Sequence, residues 1–434
     1  MGRLNQACAL VAIAITTICA LCAPASAAKL TVLYSFCASA NCADGSIPRG
    51  DLFLDAAGDL YGLATSGGAN GRGAAFRLAH DPVTGKWKYH LLYSFCAKAD
   101  CADGGGPQGK IFFDSSGNLY GVTFNPGTVF ALIPNANRTK WRVETLHRFC
   151  LKAGCIDGAM PTGGLTYPGA KAGGLYDGVS PIYGETFGGG AAQQGTIFAL
   201  APEAGRWKLH KIHDFCTETE NCDLTDGSQP NGGLLIDATG NLFGSSAGGG
   251  PDFSGTIFEF SPRVSGKWKE KILYSFCAPG CDSGQSPTGI IRDQDGDAYG
   301  MTAAFGPNGK GGTLFELAAD GSFSLLHAFC SAADCSDGHQ PGAAPLRDAV
   351  GNLYGTTIIG GGNDRDEGHL GGGVVFERTA SGDFTVLHAF CAEANCTDGA
   401  APWAGLTMDS AGNLFGTTSA GGKFGGGTIF EVTP

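Results

Sequence analysis

Residues 208–262 read KLHKIHDFCTETENCDLTDGSQPNGGLLIDATGNLFGSSAGGGPDFSGTIFEFSP, and this stretch decides the fold because it is one cycle of a phrase the chain says seven times. Its opening, residues 208–215, alternates polar and apolar side chains, the pattern of a half-buried strand. Gly233-Leu234-Leu235-Ile236-Asp237 follows as a short apolar strand. The turn Asp237-Ala238-Thr239-Gly240-Asn241 then reverses the chain, since Asp bonds the backbone two residues on and Gly accepts a positive φ. The return strand is Asn241-Leu242-Phe243-Gly244. After a glycine-rich stretch comes a third strand, Gly255-Thr256-Ile257-Phe258-Glu259-Phe260, and a turn through Pro262 and Gly266 leads to the next outer strand at Trp268.

The phrase is anchored by Phe36-Cys37, Phe95-Cys96, Phe149-Cys150, Phe215-Cys216, Phe276-Cys277, Phe329-Cys330 and Phe390-Cys391, about 59 residues apart, the span of a whole supersecondary unit. Four short strands per repeat and no helical periodicity predict an all-β fold, a seven-bladed β-propeller with four-stranded blades. A right-handed β-helix is the alternative, and would have shorter, more uniform coils. The phase of the ends sharpens the expectation. Residues 30–36 are an outer strand without partners of their own, and the last repeat ends at Thr428-Ile429-Phe430-Glu431-Val432 lacking one. The N-terminal strand is expected to close the last blade and leave no open edge.

Residues 1–28 stand outside the repeats. Arg3 is the only charge before Lys29, an apolar run extends from Ala7 to Ala23, and Ala25-Ser26-Ala27 follows, which reads as a cleaved secretory signal. Residues 29–434 are then one propeller domain, secreted or periplasmic, with no membrane span after cleavage. With a net charge of −12 and 16% charged residues, nucleic-acid binding is disfavoured, because it needs clustered Lys and Arg. A monomer is expected.

Of 17 cysteines, Cys8, Cys19 and Cys22 lie in the signal. The other 14 form close pairs: Cys37/Cys42, Cys96/Cys101, Cys150/Cys155, Cys216/Cys222, Cys277/Cys281, Cys330/Cys335 and Cys391/Cys396. One pair per repeat in an exported chain argues for seven local disulfides. Zinc is the rival reading, but four ligands would require two blades to bring their pairs together, and no histidine recurs beside them at ligand spacing.

The phrases Asn352-Leu353-Tyr354-Gly355-Thr356-Thr357, Asn413-Leu414-Phe415-Gly416-Thr417-Thr418, Gly427-Thr428-Ile429-Phe430-Glu431 and Leu387-His388-Ala389-Phe390 resemble the bacterial GloVer (Gloeo-Verruco) tandem repeat. The resemblance covers essentially all of residues 29–434. It implies repeat identity and carries no activity, because the family is defined by its repeat. The third repeat departs from the pattern, with residues 166–177 in place of D-x-x-G-N, which reads as a longer hairpin.

Propeller connectivity places the Cys loops, their Asp-Gly turns and the glycine-rich loops on one face, and the D-x-x-G-N turns on the other. Asp44, Asp103, Asp157, Asp226, Asp337 and Asp398, with Asp282 near the equivalent place, would form either a ring of oxygen ligands for Ca²⁺ or a hydroxyl-rich ligand, or a set of turn-capping acids. Repetition in every blade favours the second. Asp55, Asp114, Asp237, Asp293, Asp348 and Asp409 read as plain turn residues, lacking the spaced acids of a calcium loop. His147, His213, His327 and His388 occupy the position held elsewhere by Tyr34, Tyr93 and Tyr274, so a flat ring with a polar edge is wanted there.

Residues that break the repeat are His339, Trp403, Glu185 and the insertion over residues 363–369. In that insertion Asp364, Asp366, Glu367 and His369 are the candidate ligand-binding residues, on the Cys-loop face. Glu185 with Asp366 and Glu367 is the candidate acid–base set of a glycan hydrolase or lyase at the channel mouth. No nucleophile elbow, phosphate loop or zinc-protease signature is present. No catalytic residue, cofactor or metal is therefore assigned. The role expected is a secreted binding or interaction scaffold at the cell exterior or in the periplasm, whose unidentified ligand is a glycan or a protein.

Overall fold

A computed structural model describes residues 28–170, 173–217, 226–276, 282–307, 309–362 and 371–434. The signal reading of residues 1–28 falls almost wholly outside them, as do Cys222, Cys277, Cys281 and the insertion residues Asp364, Asp366, Glu367 and His369. The described fold is all-β and propeller-like, built of antiparallel meanders. Each meander runs outward from an innermost strand that starts after a Cys loop. The fourth repeat is typical: Gly227–Pro230 and Leu235–Ile236 both pair with Leu242–Gly249, which pairs with Thr256–Pro262, which pairs with the outer strand Trp268–Ser275. One sheet holds eight strands. There the meander ending in Trp141–Arg148 and the one ending in Arg206–Asp214 are linked at their innermost strands by one parallel bridge, Gly164 to Lys110.

The expected closure is present. Lys29–Ser35 pairs antiparallel with Thr428–Thr433, so the outer strand of the last sheet comes from the other end of the chain. The first and last repeats also touch directly: the Gly405 amide donates to Asp51 at 2.8 Å, and Phe415 and Ile429 pack in one cluster with Phe36 and Leu52.

Two packing rules explain the repeated letters. Each Phe of the Phe-Cys pair is buried and meets, edge to face or tilted, the Phe of the next repeat's G-T-x-F strand, as in Phe36 with Phe76 at 5.2 Å and Phe390 with Phe430 at 5.1 Å. That second ring lies on the glycine of Tyr/Phe-Gly. A Cβ on Gly62 would stand 2.5 Å from Phe76 Cζ, and one on Gly416 would stand 2.5 Å from Phe430 Cζ.

The outer strands differ from their sequence reading. Their alternation is interrupted by a bulge in every repeat: Phe198 pairs with Lys211 but Ile197 with His213, leaving Ile212 extra. The same slip precedes Tyr34, Tyr93, His147, Tyr274, His327 and His388. An extra residue re-aims the side chain that follows it, and here it turns the ring toward the Cys loop.

Removing residues 29–36 strips Thr428–Thr433 of its partner and takes Phe36 from the core. Loss of a buried Phe alone costs about 3–5 kcal/mol, so urea unfolding of the truncated protein should shift to a clearly lower midpoint. An unchanged midpoint would mean that the last sheet is complete without this strand.

Candidate functional site

The Cys-loop face is tied down residue by residue. Five disulfides, Cys37–Cys42, Cys96–Cys101, Cys150–Cys155, Cys330–Cys335 and Cys391–Cys396, each close a short turn, and Cys216 is also disulfide-bonded. The residue before the second cysteine, Asn41, Asp100, Gly154, Asp334 or Asn395, has φ between 53° and 73°, a left-handed conformation that Asn, Asp and Gly tolerate best. The Asp of Asp-Gly lies inside the loop. Asp44 accepts from the Ala38 and Ser39 amides at 3.0 and 3.1 Å and from Tyr34 Oη at 2.7 Å. Asp103 repeats this with Ala97, Lys98 and Tyr93.

Where the ring is histidine, the pairs are His147–Asp157, His213–Asp226, His327–Asp337 and His388–Asp398, at 3.0–3.2 Å. These acids direct their oxygens at their own loops and at the bulged ring, the turn-capping role. Asp282 is exposed. The Tyr/His-to-Asp pairing across ten or more residues escapes a reading of single positions, although Tyr–His interchange beside an Asp-Gly found in six of the seven repeats is its trace in the sequence.

The opposite face carries the D-x-x-G-x turns. Asp237 Oδ1 accepts from the Thr239 and Asn241 amides at 2.9 Å, and Asp55, Asp114, Asp293, Asp348 and Asp409 do the same in their own turns. Between the faces runs an axial channel of about 210 Å³, to which every innermost strand or its flanking loop contributes: Arg49, Gln108, Thr162, Asn231, Thr288, Gly342 and Trp403. Trp403, singled out by its departure from the repeat, lies here under the Arg49 guanidinium at 4.4 Å. Lys110 and Asp51 pair at 3.6 Å in the same wall.

On the D-x-x-G-x side lies an apolar funnel of about 410 Å³, which shares Lys110 with the channel. Phe53, Phe112, Thr166, Leu235 and Ile291, the residues facing the axis on five successive innermost strands, form its ring, with Lys110 at the floor and Asp237 and Arg292 at the rim. The third repeat's insertion supplies a side wall through Ala170, Gly173, Gly174 and Leu175. That insertion is more than a long hairpin. It folds back onto the second repeat, where Tyr176 bridges Asp114 in parallel, its amide donates to Phe113 O at 3.0 Å, and its fully buried ring packs against Phe112, Tyr120 and Tyr167.

Glu185 lies behind the channel wall, fully buried. Its Oε1 accepts from the Gly233 amide at 2.8 Å, while Oε2 has no hydrogen-bond partner. Burial pushes its carboxyl up to about 8, against the opposing effect of the bonds from Gly233 and Thr162. His339 is half-buried with Nδ1 unpartnered, and burial, then Lys310, push its imidazole down. Neither residue is brought to the other or to the funnel wall, and Asp366 and Glu367 lie outside the described residues.

The Gloeobacter/Verrucomicrobia repeat model matches residues 168–366 and 284–434. The chain belongs to that family. No curated protein matches it. Among solved structures, the extracellular domain of what is described as a one-component system from B. thetaiotaomicron aligns at 10% identity and TM-score 0.51, over 92% of this chain and 39% of that one. This chain thus spans about two fifths of that relative's length, and the likeness is one of fold. A Lactobacillus plantarum protein aligns at 14% identity and TM-score 0.48, over 79% of this chain and 84% of its own. A PQQ-bound aldose sugar dehydrogenase from Streptomyces coelicolor aligns at 15% identity and TM-score 0.41, over 94% and 99%. The disulfides fit an oxidising, exported setting, and among the described residues no helix is long and apolar enough to cross a membrane.

Two titrations follow. A buried carboxyl whose folded pKa lies above its unfolded value loses stability as pH rises between the two. The wild type should therefore weaken from about pH 4.5 to about 8, while Glu185→Gln, which keeps an acceptor for Gly233, should not. Parallel urea midpoints for the two proteins across that window would contradict it. Asp337 behaves oppositely. Burial raises its pKa, but bonds from His327, Ser331 and the Ser331 and Ala332 amides outweigh that and hold it at about 2. Its contribution should be complete above about pH 4 and disappear toward pH 2, so the midpoint gap between wild type and Asp337→Asn should close over that range. A constant gap would exclude this.

Proposed function

We infer that this protein is an exported, monomeric, seven-bladed β-propeller that acts as a binding module, taking a small and largely apolar molecule into the axial funnel with its polar end toward the Lys110–Asp51 pair. Seven four-stranded meanders, two of them joined by the single Gly164–Lys110 bridge, support the blade count. The composition of residues 1–28 and the disulfides support secretion or a periplasmic location.

The funnel is the observation that carries the reading. A concave, mostly apolar site with a few convergent polar groups is the usual form of a small-molecule pocket, and about 410 Å³ lies within the range such pockets occupy. The rigid ring fixes Phe53, Phe112, Leu235 and Ile291, while the third repeat's insertion adds the wall that makes this sector unlike the others. Lys110 and Arg292 offer positive charge at the floor and rim, the latter held over the Phe243 ring at 3.8 Å.

The probe 1-anilinonaphthalene-8-sulfonate combines an apolar body with one anionic end. It should bind the native, oxidised protein with one saturable site. Leu235→Asp in the ring and Leu175→Asp on the wall should each weaken binding at least tenfold, and Leu175, 57% exposed, should leave the melting curve unchanged. Wild-type affinity in both variants would remove the funnel as the site.

A further inference from the structure

We propose that His213, Asp226 and Glu270 form a binding site for a divalent transition-metal ion at the junction of the third and fourth meanders, on the Cys-loop face and apart from the funnel. His213 is the penultimate residue of the outer strand Arg206–Asp214, Asp226 follows the first cysteine of the next Cys loop, Cys216, and Glu270 is on the next outer strand, Trp268–Ser275. One donor atom from each lies within 4.8 Å of the others. His213 Nε2 is 3.2 Å from Asp226 and 3.8 Å from Glu270 Oε2. With metal–ligand bonds of about 2.0–2.1 Å, the edge of a tetrahedral site is roughly 3.3 Å, so these spacings need only small adjustment.

Comparison among the repeats separates this junction from the other six. In every repeat the bulged ring is covered from the next outer strand by the residue four places before that strand's own ring. Tyr89 stacks on Tyr34 at 4.3 Å, Phe323 on Tyr274 at 4.6 Å and Phe384 on His327 at 3.7 Å. The same position is Val143, Leu209 and Leu30 at the remaining junctions. Only over His213 is the cover an acid, Glu270. The His–Asp pair is thus the repeat's own structural device, and the added carboxylate is the departure.

That departure carries a cost that a cation removes. The side chains of His213, Asp226 and Glu270 are 21%, 8% and 19% exposed. Two carboxylates held close in a half-buried site repel each other, and burying a charge in place of an apolar cover adds desolvation. One imidazole nitrogen and two carboxylate oxygens are a donor set suited to zinc and its neighbours. Asp226 also accepts from the Cys216 amide at 2.6 Å and the Gly227 amide at 2.8 Å, bonds that orient the carboxylate and leave lone pairs for a metal. Binding requires the imidazole Nε2 to give up any proton it holds.

The test uses the oxidised protein after removal of metal with a chelator, titrated with Zn²⁺ in a calorimeter and followed by thermal melting. One site per chain is expected, with a dissociation constant of micromolar or tighter and a melting temperature raised by the ion. Glu270→Leu restores the cover used at the other junctions and should fold. His213→Tyr installs the ring found in three other repeats. Each should abolish the site and the Zn²⁺-dependent rise. Should Glu270→Leu fail to fold, Glu270→Gln is expected to weaken binding at least a hundredfold. No stoichiometric site in the wild type, or full binding in the glutamate variants, would overturn the proposal.

Discussion

The structure depends on a ring of phenylalanine lying on a glycine. Phe76 covers Gly62 and is met in turn by Phe36 from the preceding outer strand, and the same three-part contact joins Phe390, Phe430 and Gly416. Without a Cβ on the glycine, the second and third strands of a sheet let a ring sink between them. That ring then becomes the surface on which the neighbouring repeat docks. An aromatic pair in this geometry adds about 0.5–1.5 kcal/mol beyond the area it buries, and its larger effect is geometric. It fixes how far one sheet stands from the next along the run of repeats, whose last sheet takes its outer strand from the N-terminus.

Much of this was legible in the sequence because it is written seven times. The strand order, the tight D-x-x-G-N turns, the local disulfides and the strand exchange between termini all follow from the phrase and its phase. The bulge was not legible. Lys208 to Phe215 alternates as a regular strand does, and nothing in that alternation marks Ile212 as extra. Its consequence, the approach of Tyr or His to the Asp of the next Cys loop, joins residues in different elements, which no single position of the sequence displays. The funnel is not legible either. Phe53, Phe112, Leu235 and Ile291 look like core residues by type, and only the closed ring turns them toward a common axis.

The insertion in the third repeat illustrates why length alone misleads. Read as sequence, residues 166–177 replace a turn by a longer hairpin. In the fold they reach sideways, place Tyr176 in the core of the neighbouring repeat and leave Leu175 on the funnel wall. A hairpin that only lengthened its own turn would have had no reason to bury an aromatic ring in the next sheet. The buried tyrosine is an anchor, and an anchored loop holds its free residues in place, as a binding wall must.

Repetition also decides where chemistry resides. What recurs, above all the Asp of the Cys loop in six of the seven repeats, is engaged by local hydrogen bonds and serves the scaffold. What departs once is an acid where no other copy of the position has one. Glu185 stands where Leu63, Val122, Met301, Ser245, Thr356 and Thr417 stand elsewhere, and Glu270 where Tyr89 and Phe384 do. The two exceptions differ in kind. Glu185 is sealed behind a backbone wall and relieves its charge by holding a proton near neutrality, so it shapes the channel lining without reaching it. Glu270 keeps partial access to solvent beside a histidine and a second carboxylate. A buried acid that can protonate needs no partner ion, whereas an acid held against another acid at an accessible rim gains most from a cation between them. Among the described residues, departure and access coincide at this junction and at the funnel wall built by the third repeat's insertion.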